Sequence, residues 1–494
     1  MLLWRRDFCS FCTIFRGMTE AHPAIPFDNS YARLPGSMHV GVSPTPVSAP
    51  RLIKVNEPLA RKLGVNPAAL TPEVAVGNQL LPGSTPIAQA YAGHQFGNFV
   101  PQLGDGRAIL LGEVVDRDGR RRDIQLKGSG RTPFSRGGDG RAALGPVLRE
   151  YLVSEAMNAL GIPTTRALMA ATTGERVYRD EVLQGAVLTR VAASHIRVGT
   201  FQFFAARKDH EALRLLIDHV IDRHYPELKG VENPALALLD AVMERQASLV
   251  SRWVQVGFIH GVMNTDNSSI SGETIDYGPC AFMDAYDPGT VFSSIDTYGR
   301  YAYANQAPIA QWNLARLAET LLSFLNENRE EAIRIATERI EGFPAIYTQH
   351  WLAGFRRKIG LVSEEDGDLD LIQAMLDVMQ LVRADFTLTF RTLSNGGEPE
   401  ALTDWLPAWR ERLARDPQTV AERQRLMRSV NPAYIPRNHR VEAMIRAAVE
   451  TQNTAPFEEM LQVLMNPYEE QAGAEAYAEP PGENEPPYRT FCGT

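Results

Sequence analysis

The stretch from Gly257 to Gly278, GFIHGVMNTDNSSISGETIDYG, gathers carboxylates and carboxamides around short apolar runs. Asn264 and Asn267 bracket Asp266, and Asp276 stands where a new apolar run begins. Oxygen donors of these two kinds suit Mg²⁺, which takes one or two carboxylates and completes its shell with substrate phosphates. A hairpin over Ser271 and Gly272 would bring an Asn267 carbonyl and the Asp276 carboxylate onto one ion. Asp266, pointing elsewhere, would then be free to accept a proton from an attacking hydroxyl. The same residue types are ordinary turn formers, so the stretch by itself leaves a polar surface hairpin and a phosphotransfer site both open.

A phosphate-transfer site needs positive charge and close backbone approach, and both occur upstream. In QLGDGRAILLGEV, Gly104 and Gly106 open a strand where missing side chains let N–H groups approach a phosphate, with Arg107 beside them. In RRRDIQLKGSG, alternation puts Ile124 and Leu126 on one face and Gln125 and Lys127 on the other. Lys127 therefore ends a strand on the face of the glycine turn, where an ammonium can neutralise nucleotide phosphate. From Gly104 to Arg149 there are ten Lys and Arg against six Asp and Glu, inside a chain whose net charge is -9. A helix over 142–160 carries Glu150 and Glu155, and either could turn inward to pair with Lys127.

The elements that must hold these residues divide along the chain. Residues 22 to 90 are rich in Pro, Ala and Ser and read as an irregular wrap with short helical pieces such as EPLARKLG. Two apolar runs around Asp118 and Gly119 predict a tight hairpin, and Gly161 with Pro163 stops the helix that follows. GAVLTRVAASHIRVG reads as another strand and its connector. From about residue 208 the periodicity is helical, as in EALRLLIDHVIDRHY and LDLIQAMLDVMQLVRADF. The expected fold class is α+β with two lobes: a strand-bearing lobe over 18–198, a helical lobe over 199–430, and an extension over 431–494 whose last residues have the composition of a disordered end.

Composition excludes several functions. Apolar residues make up 44% and charged residues 22% of 494 positions, enough for a large core. An acidic net charge argues against a general nucleic-acid or anionic-membrane binder, and no run approaches the ~20 apolar residues that a bilayer span needs. Four scattered cysteines, Cys9, Cys12, Cys280 and Cys492, do not make a disulfide framework and point to a reducing compartment, the cytoplasm. Cys9 and Cys12 form a C-x-x-C that nothing with metal-ligand spacing answers. The first 17 residues read as a leader outside the fold, with the ordinary soluble sequence starting at Met18.

In order along the chain come a glycine loop, a strand lysine, a helix glutamate, an Asp–Asn pair and an Asp-x-Gly. This order resembles the protein-kinase plan, with NTDN in the place of the catalytic loop and DYG in that of the metal-binding Asp-Phe-Gly. Four longer stretches are more specific: YAGHQFGNFVPQLGDGRAILLGE, LKGSGRTPFSRGGDGRAALGPVLREYLVSEAMNALGIPTTRAL, HGVMNTDNSSISGETIDYGPCAFMDAY and SVNPAYIPRNHRVEAMI resemble the selenoprotein O family, also called YdiU. The likeness runs from about residue 25 to the C-terminus. It implies a bilobal kinase-like fold that binds ATP in a flipped orientation and transfers AMP, not the γ-phosphate, to Ser, Thr or Tyr hydroxyls of proteins.

Carried over by motif, Gly104, Gly106, Arg107, Lys127, Asp139 and Gly140 would contact the nucleotide, as would Asp276. Arg190 and Arg197 would grip the far phosphates. Asp266 would be the proton acceptor, Asn267 and Asp276 the ligands of Mg²⁺ or of Mn²⁺ in its place, and Glu150 the partner of Lys127. The resemblance also sets Cys492 where some members carry selenocysteine, with Cys280 a distant thiol it could pair with. Two other readings use the same residues: an ordinary protein kinase, and a nucleotide-binding, redox-regulated scaffold.

Overall fold

A computed structural model describes residues 25–482 and 488–490. The leader over 1–17, the Cys9–Cys12 pair and Cys492 lie outside the described residues. The fold is α+β, with a sheet-bearing region early in the chain and a helical region after it.

The strands in chain order are β1 (His39–Gly41), β2 (Arg51–Val55), β3 (Ile87–Gln89), β4 (Gly93–Gln95), β5 (Asn98–Val100), β6 (Ala108–Val115), β7 (Arg121–Lys127), β8 (Ala142–Ala143), β9 (Arg166–Tyr178) and β10 (Val182–Ala192). The main sheet runs β1, β3, β6, β7, β10, β9, β2, with β8 on β10. Its central pairs are antiparallel hairpins, and the β6–β7 turn places Gly119 at φ 76° as the Asp-Gly dipeptide requires. The segment expected to be an irregular wrap differs: its apolar residues close both ends of the sheet as β1, β2 and β3. Stretches of three to five residues are too short to show a period of two, so composition alone read them as loop.

Helices α1 (Glu57–Lys62) and α2 (Pro72–Val76) cover one sheet face, where Leu59, Val74, Ile124, Leu126 and Leu168 form one buried cluster. On the other face α3 (Leu144–Ala159) packs Leu148, Tyr151 and Leu152 against Ala167, Ala170 and Leu188. Small side chains on β9 and β10 let this helix lie close to the sheet. Beyond the sheet come α4 (Val198–Ala206), α5 (His210–His224), α6 (Pro234–Gln255) and α7 (Gln306–Leu325). Asn233 caps α6 by accepting from the Leu236 N–H at 3.0 Å, with Pro234 in its first turn. The largest core cluster joins α4 to α7 with sheet residues such as Ala88 and Leu110, tying the two regions together.

The stretch of interest follows α6 between two short antiparallel strands, β11 (Phe258–Ile259) and β12 (Ala281–Phe282). Its interior is not the two-stranded hairpin over Ser271 and Gly272 that the sequence suggested. Ser269 bridges to Arg197 and Thr274 to Thr164, so each arm pairs with a different neighbour and only a turn closes at Gly272. Buried backbone must find partners, and here the sheet region and the start of α4 supply them. Further on, helices over Asn438–Thr451 and Ala455–Leu464 return to α3, seating Val441, Met444, Phe457 and Leu461 on its apolar side.

Candidate active site

A cleft of about 270 Å³ opens where the β6–β7 sheet face meets the 264–276 loop. Its walls include Gly104, Gly106, Arg107, Lys127, Asp139, Gly140, Arg190, Arg197, Asp266, Asn267 and Asp276. Residues up to 172 positions apart in sequence thus share one cavity; Glu150 is buried just behind it.

Lys127 Nζ donates to Glu150 Oε2 at 2.5 Å and to Asp276 Oδ1 at 3.3 Å. Of the two glutamates on α3, Glu150 is therefore the lysine's partner. Glu155 takes Arg166 in a two-pronged pair at 2.8 and 2.7 Å. Glu150 also accepts from Arg190 Nε at 2.8 Å. Burial works against its charge, but Arg190 and Lys127 outweigh it and hold the carboxyl below its ordinary range. The triad fixes the long side chains of Lys127 and Arg190 before any ligand arrives.

Asp276 has φ 71°, a conformation rare for a side-chain-bearing residue. Burial opposes its ionisation, yet Lys127, Arg107 and Arg190 prevail and keep it a carboxylate well below the usual range. His260 spans the loop, its Nε2 lying 2.9 Å from the carbonyl oxygen of Ile275. The amide nitrogen of Asn267 donates to Val262 O at 3.1 Å, which leaves the carboxamide oxygen as the atom to offer a cation.

Among the described residues no group of three or more His, Cys, Asp or Glu forms a preformed metal cage. A Mg²⁺ held largely by substrate phosphates asks less: one ionised carboxylate and one amide oxygen, the donor set that Asp276 and Asn267 make. The residues therefore fit the ion.

Asp266 is buried, and its Oδ1 has no hydrogen-bond partner. Burial raises its carboxyl to about 6, against a lowering by a hydrogen bond from Gln95 Nε2, 3.2 Å from Oδ2. A carboxylate with one oxygen held and the other bare has the makings of a proton acceptor. The room it occupies comes from Gly93, where an added Cβ would lie 2.7 Å from Oδ1. Gly93 and Gln95 belong to the β4–β5 hairpin, whose His94 N–H donates to Thr265 Oγ1 at 2.7 Å and whose Phe96 N–H donates to Asn264 Oδ1 at 3.0 Å. The residue reading passed over this hairpin because its strands are three residues long; its signal was YAGHQFG within the family-like stretch.

Arg197, buried at the start of α4, donates from Nε to His195 O at 3.0 Å and from Nη1 to Asp266 O at 2.9 Å, and lies 4.3 Å above the Tyr91 ring. The glycine loop is braced from behind: Thr132 Oγ1 donates to Asp105 O at 2.6 Å, and Ser135 Oγ donates to Gly106 O. Gly104 sits at φ 73°, and a Cβ there would come 2.3 Å from the Phe134 ring. Asp139 faces the cleft but its carboxylate is taken by Arg179 at 2.9 and 3.0 Å. Arg179 is a cleft residue that the sequence reading did not single out. Cys280 is buried without a disulfide partner among the described residues, and burial pushes its thiol up to about 12.

A larger cavity of about 850 Å³ lies elsewhere, between the β6–β7 hairpin and α5 and α6. Several of its arginines are spent on neighbours, as Arg223 is on Asp123 at 2.6 Å and Arg122 on Asp116 at 3.1 Å. The chemistry-bearing groups converge in the smaller cleft.

The family model described as protein adenylyltransferase SelO matches residues 24–465. A protein of Bradyrhizobium sp. (strain BTAi1) named protein nucleotidyltransferase YdiU is 63% identical over 488 residues, covering 95% of this chain and 99% of the relative. Proteins of the same name from Rhizobium rhizogenes and Rhizobium meliloti are 63% and 62% identical, with 97% and 100% of their lengths covered. Matched over most of its length by the family model and over nearly all of it by such relatives, the chain belongs to the SelO family of protein adenylyltransferases.

Proposed function

We propose that this protein transfers AMP from ATP to Ser, Thr or Tyr hydroxyls of other proteins, and that its two regions work as the lobes of a kinase-like fold over 18–198 and 199–430. The observation that carries the mechanism is Asp266, with one oxygen held by Gln95 and the other bare, in the cleft shared with Lys127 and Asp276. The acceptor hydroxyl gives its proton to Asp266 as its oxygen attacks the α-phosphorus. The bond from that phosphorus to the bridging oxygen breaks, and pyrophosphate leaves.

Lys127, Arg190 and Arg197, anchored by their internal bonds, hold the β- and γ-phosphates inward so that the α-phosphorus faces the acceptor. Gly104, Gly106, Arg107, Asp139 and Gly140 line the nucleotide's side of the cleft. Mg²⁺, or Mn²⁺ in its place, would be held by Asn267 and Asp276 and would supply charge neutralisation on the phosphates. Four cysteines in 494 residues support a reducing compartment, the bacterial cytoplasm, as the place of work. No described helix is long and apolar enough to cross a membrane.

The test uses ATP labelled at the α or the γ phosphate, with Mg²⁺, and follows label on protein. α label on protein with release of pyrophosphate is expected; γ label alone would assign an ordinary kinase instead. Asp276→Ala should abolish transfer, and full activity in that variant would overturn the metal assignment.

A further inference from the structure

A groove of about 450 Å³ lies beside the β4–β5 hairpin, lined by Phe96, Ile295, Asp296, Tyr298, Arg300 and Ile309 among others. Tyr298 is 98% exposed and Ile295 55%, an unusual pair of large apolar side chains to leave in water. Between them and the hairpin stands Arg300. Its guanidinium lies 4.8 Å from the Trp312 ring and 5.7 Å from the Tyr301 ring. Its Nε is buried without a hydrogen-bond partner. Asp296, the nearest carboxylate in sequence, is consumed by the Arg300 and Tyr301 N–H groups at 2.9 and 2.7 Å. Among the described residues no Asp or Glu forms a salt bridge with Arg300.

The β4–β5 hairpin links this groove to the proton acceptor. Gly97 rests on Arg300, a Cβ there falling 3.7 Å from the guanidinium carbon, and two residues earlier Gln95 holds Asp266. Tyr301 Oη donates to Asn264 Oδ1 at 2.6 Å, the oxygen that also receives the Phe96 N–H. A substrate hydroxyl at Asp266 would therefore have its flanking chain run along the β4–β5 hairpin toward the groove.

We propose that the groove docks an extended segment of the protein substrate in which an Asp or Glu, about two to four positions from the acceptor hydroxyl, pairs with Arg300 while an apolar neighbour packs on Ile295 and Tyr298. The proposal rests on the reading of the cleft as a protein-modifying site. A stacked, planar guanidinium without a carboxylate is pre-set for carboxylate recognition. The surrounding rings exclude water and strengthen the pair.

The test is direct binding. Two fluorescent dodecapeptides each carry one central Thr, flanked on both sides by Glu and Leu in the first and by Lys and Leu in the second. Fluorescence anisotropy with the full chain at low salt should give at least a tenfold tighter Kd for the Glu peptide. Arg300→Glu should abolish or invert that preference, Arg300→Lys should keep part of it, and Tyr298→Ala should weaken both peptides. A fluorescent ATP analogue should bind all three variants like the parent, showing them folded. Equal affinity for the two peptides, no binding of the Glu peptide, or a preference untouched by Arg300→Glu would overturn the proposal. None of these readouts needs chemistry: α label still reaching protein would leave AMP transfer standing if the groove fails, and transfer of γ label only would sink AMP transfer while leaving the groove.

Discussion

Asp266 is the residue on which most turns. Its carboxyl is raised to about 6 by burial, whereas in the unfolded chain it titrates near 3.8. Between those values the folded state holds the extra proton, so stability falls as pH rises through that window and ionisation at neutral pH is borne at a cost. Asp266→Asn should therefore abolish transfer while raising stability at pH 7 by roughly 1–2 kcal/mol, visible as a higher Tm. A proton acceptor with this value also predicts that kcat/KM climbs as pH rises through about 6 and then levels. Gln95→Leu removes the hydrogen bond that favours the ionised form, so the climb should move to higher pH, with a loss of about tenfold at pH 6 that is recovered near pH 8 and no change in KM for ATP. A fixed fractional loss at every pH would make Gln95 structural only. Residues of this kind were unevenly legible in the sequence. Lys127, Asp266 and Asp276 stand out by type and neighbourhood, but Gln95 is a glutamine 171 positions from its partner, and only folding brings it there.

Among the elements, α3 sorts two glutamates that the sequence left equivalent. Five residues apart, they lie more than a turn from each other along the helix, so Glu150 meets β7 and Glu155 meets β9. Removing one carboxylate strands different cations. Glu150→Gln should unsettle Lys127 and Arg190 together, raising KM for ATP at least tenfold and costing about 3–5 kcal/mol for the unpaired buried charges. Glu155→Gln frees Arg166, Asn56 and the Ala167 N–H, and should lower Tm while leaving KM for ATP within about twofold. Titrating ATP against both variants distinguishes a nucleotide-site role from a purely structural one. The same element shows where patterning succeeds and where it stops. The helix, its glycine stop and the alternation of β7 follow from period and turn chemistry, whereas β1 to β3 were too short to read. The loop over 268–276 took its partners from Arg197 and Thr164, segments that nothing local could indicate.

For the whole molecule, the α+β division was readable because helical periodicity becomes sustained from about residue 208, near the start of α5. What the sequence did not show is how the end of the chain is used. Arg437, 1% exposed, donates to Asp284 at 2.6 Å and to Asp385 at 2.7 Å, and Asn438 donates to Phe282 O at 2.8 Å. Those bonds fasten β12, just downstream of Asp276, to a segment more than 150 residues later. Arg437→Ala leaves two carboxylates without their cation and should destabilise the chain by about 3–5 kcal/mol, measured as a fall in denaturation midpoint at unchanged m-value. A chain cut after residue 430 also bares Tyr151 and Leu148 where Phe457 and Leu461 had covered them. This late fastening bears on the birth of the enzyme. A nascent chain that stops short of Arg437 has already made every group named in the cleft, yet β12 lacks the fastening from Arg437 and Asn438. Competence should arrive only once those two residues have joined β12, so that a shorter chain on the ribosome does not modify its surroundings.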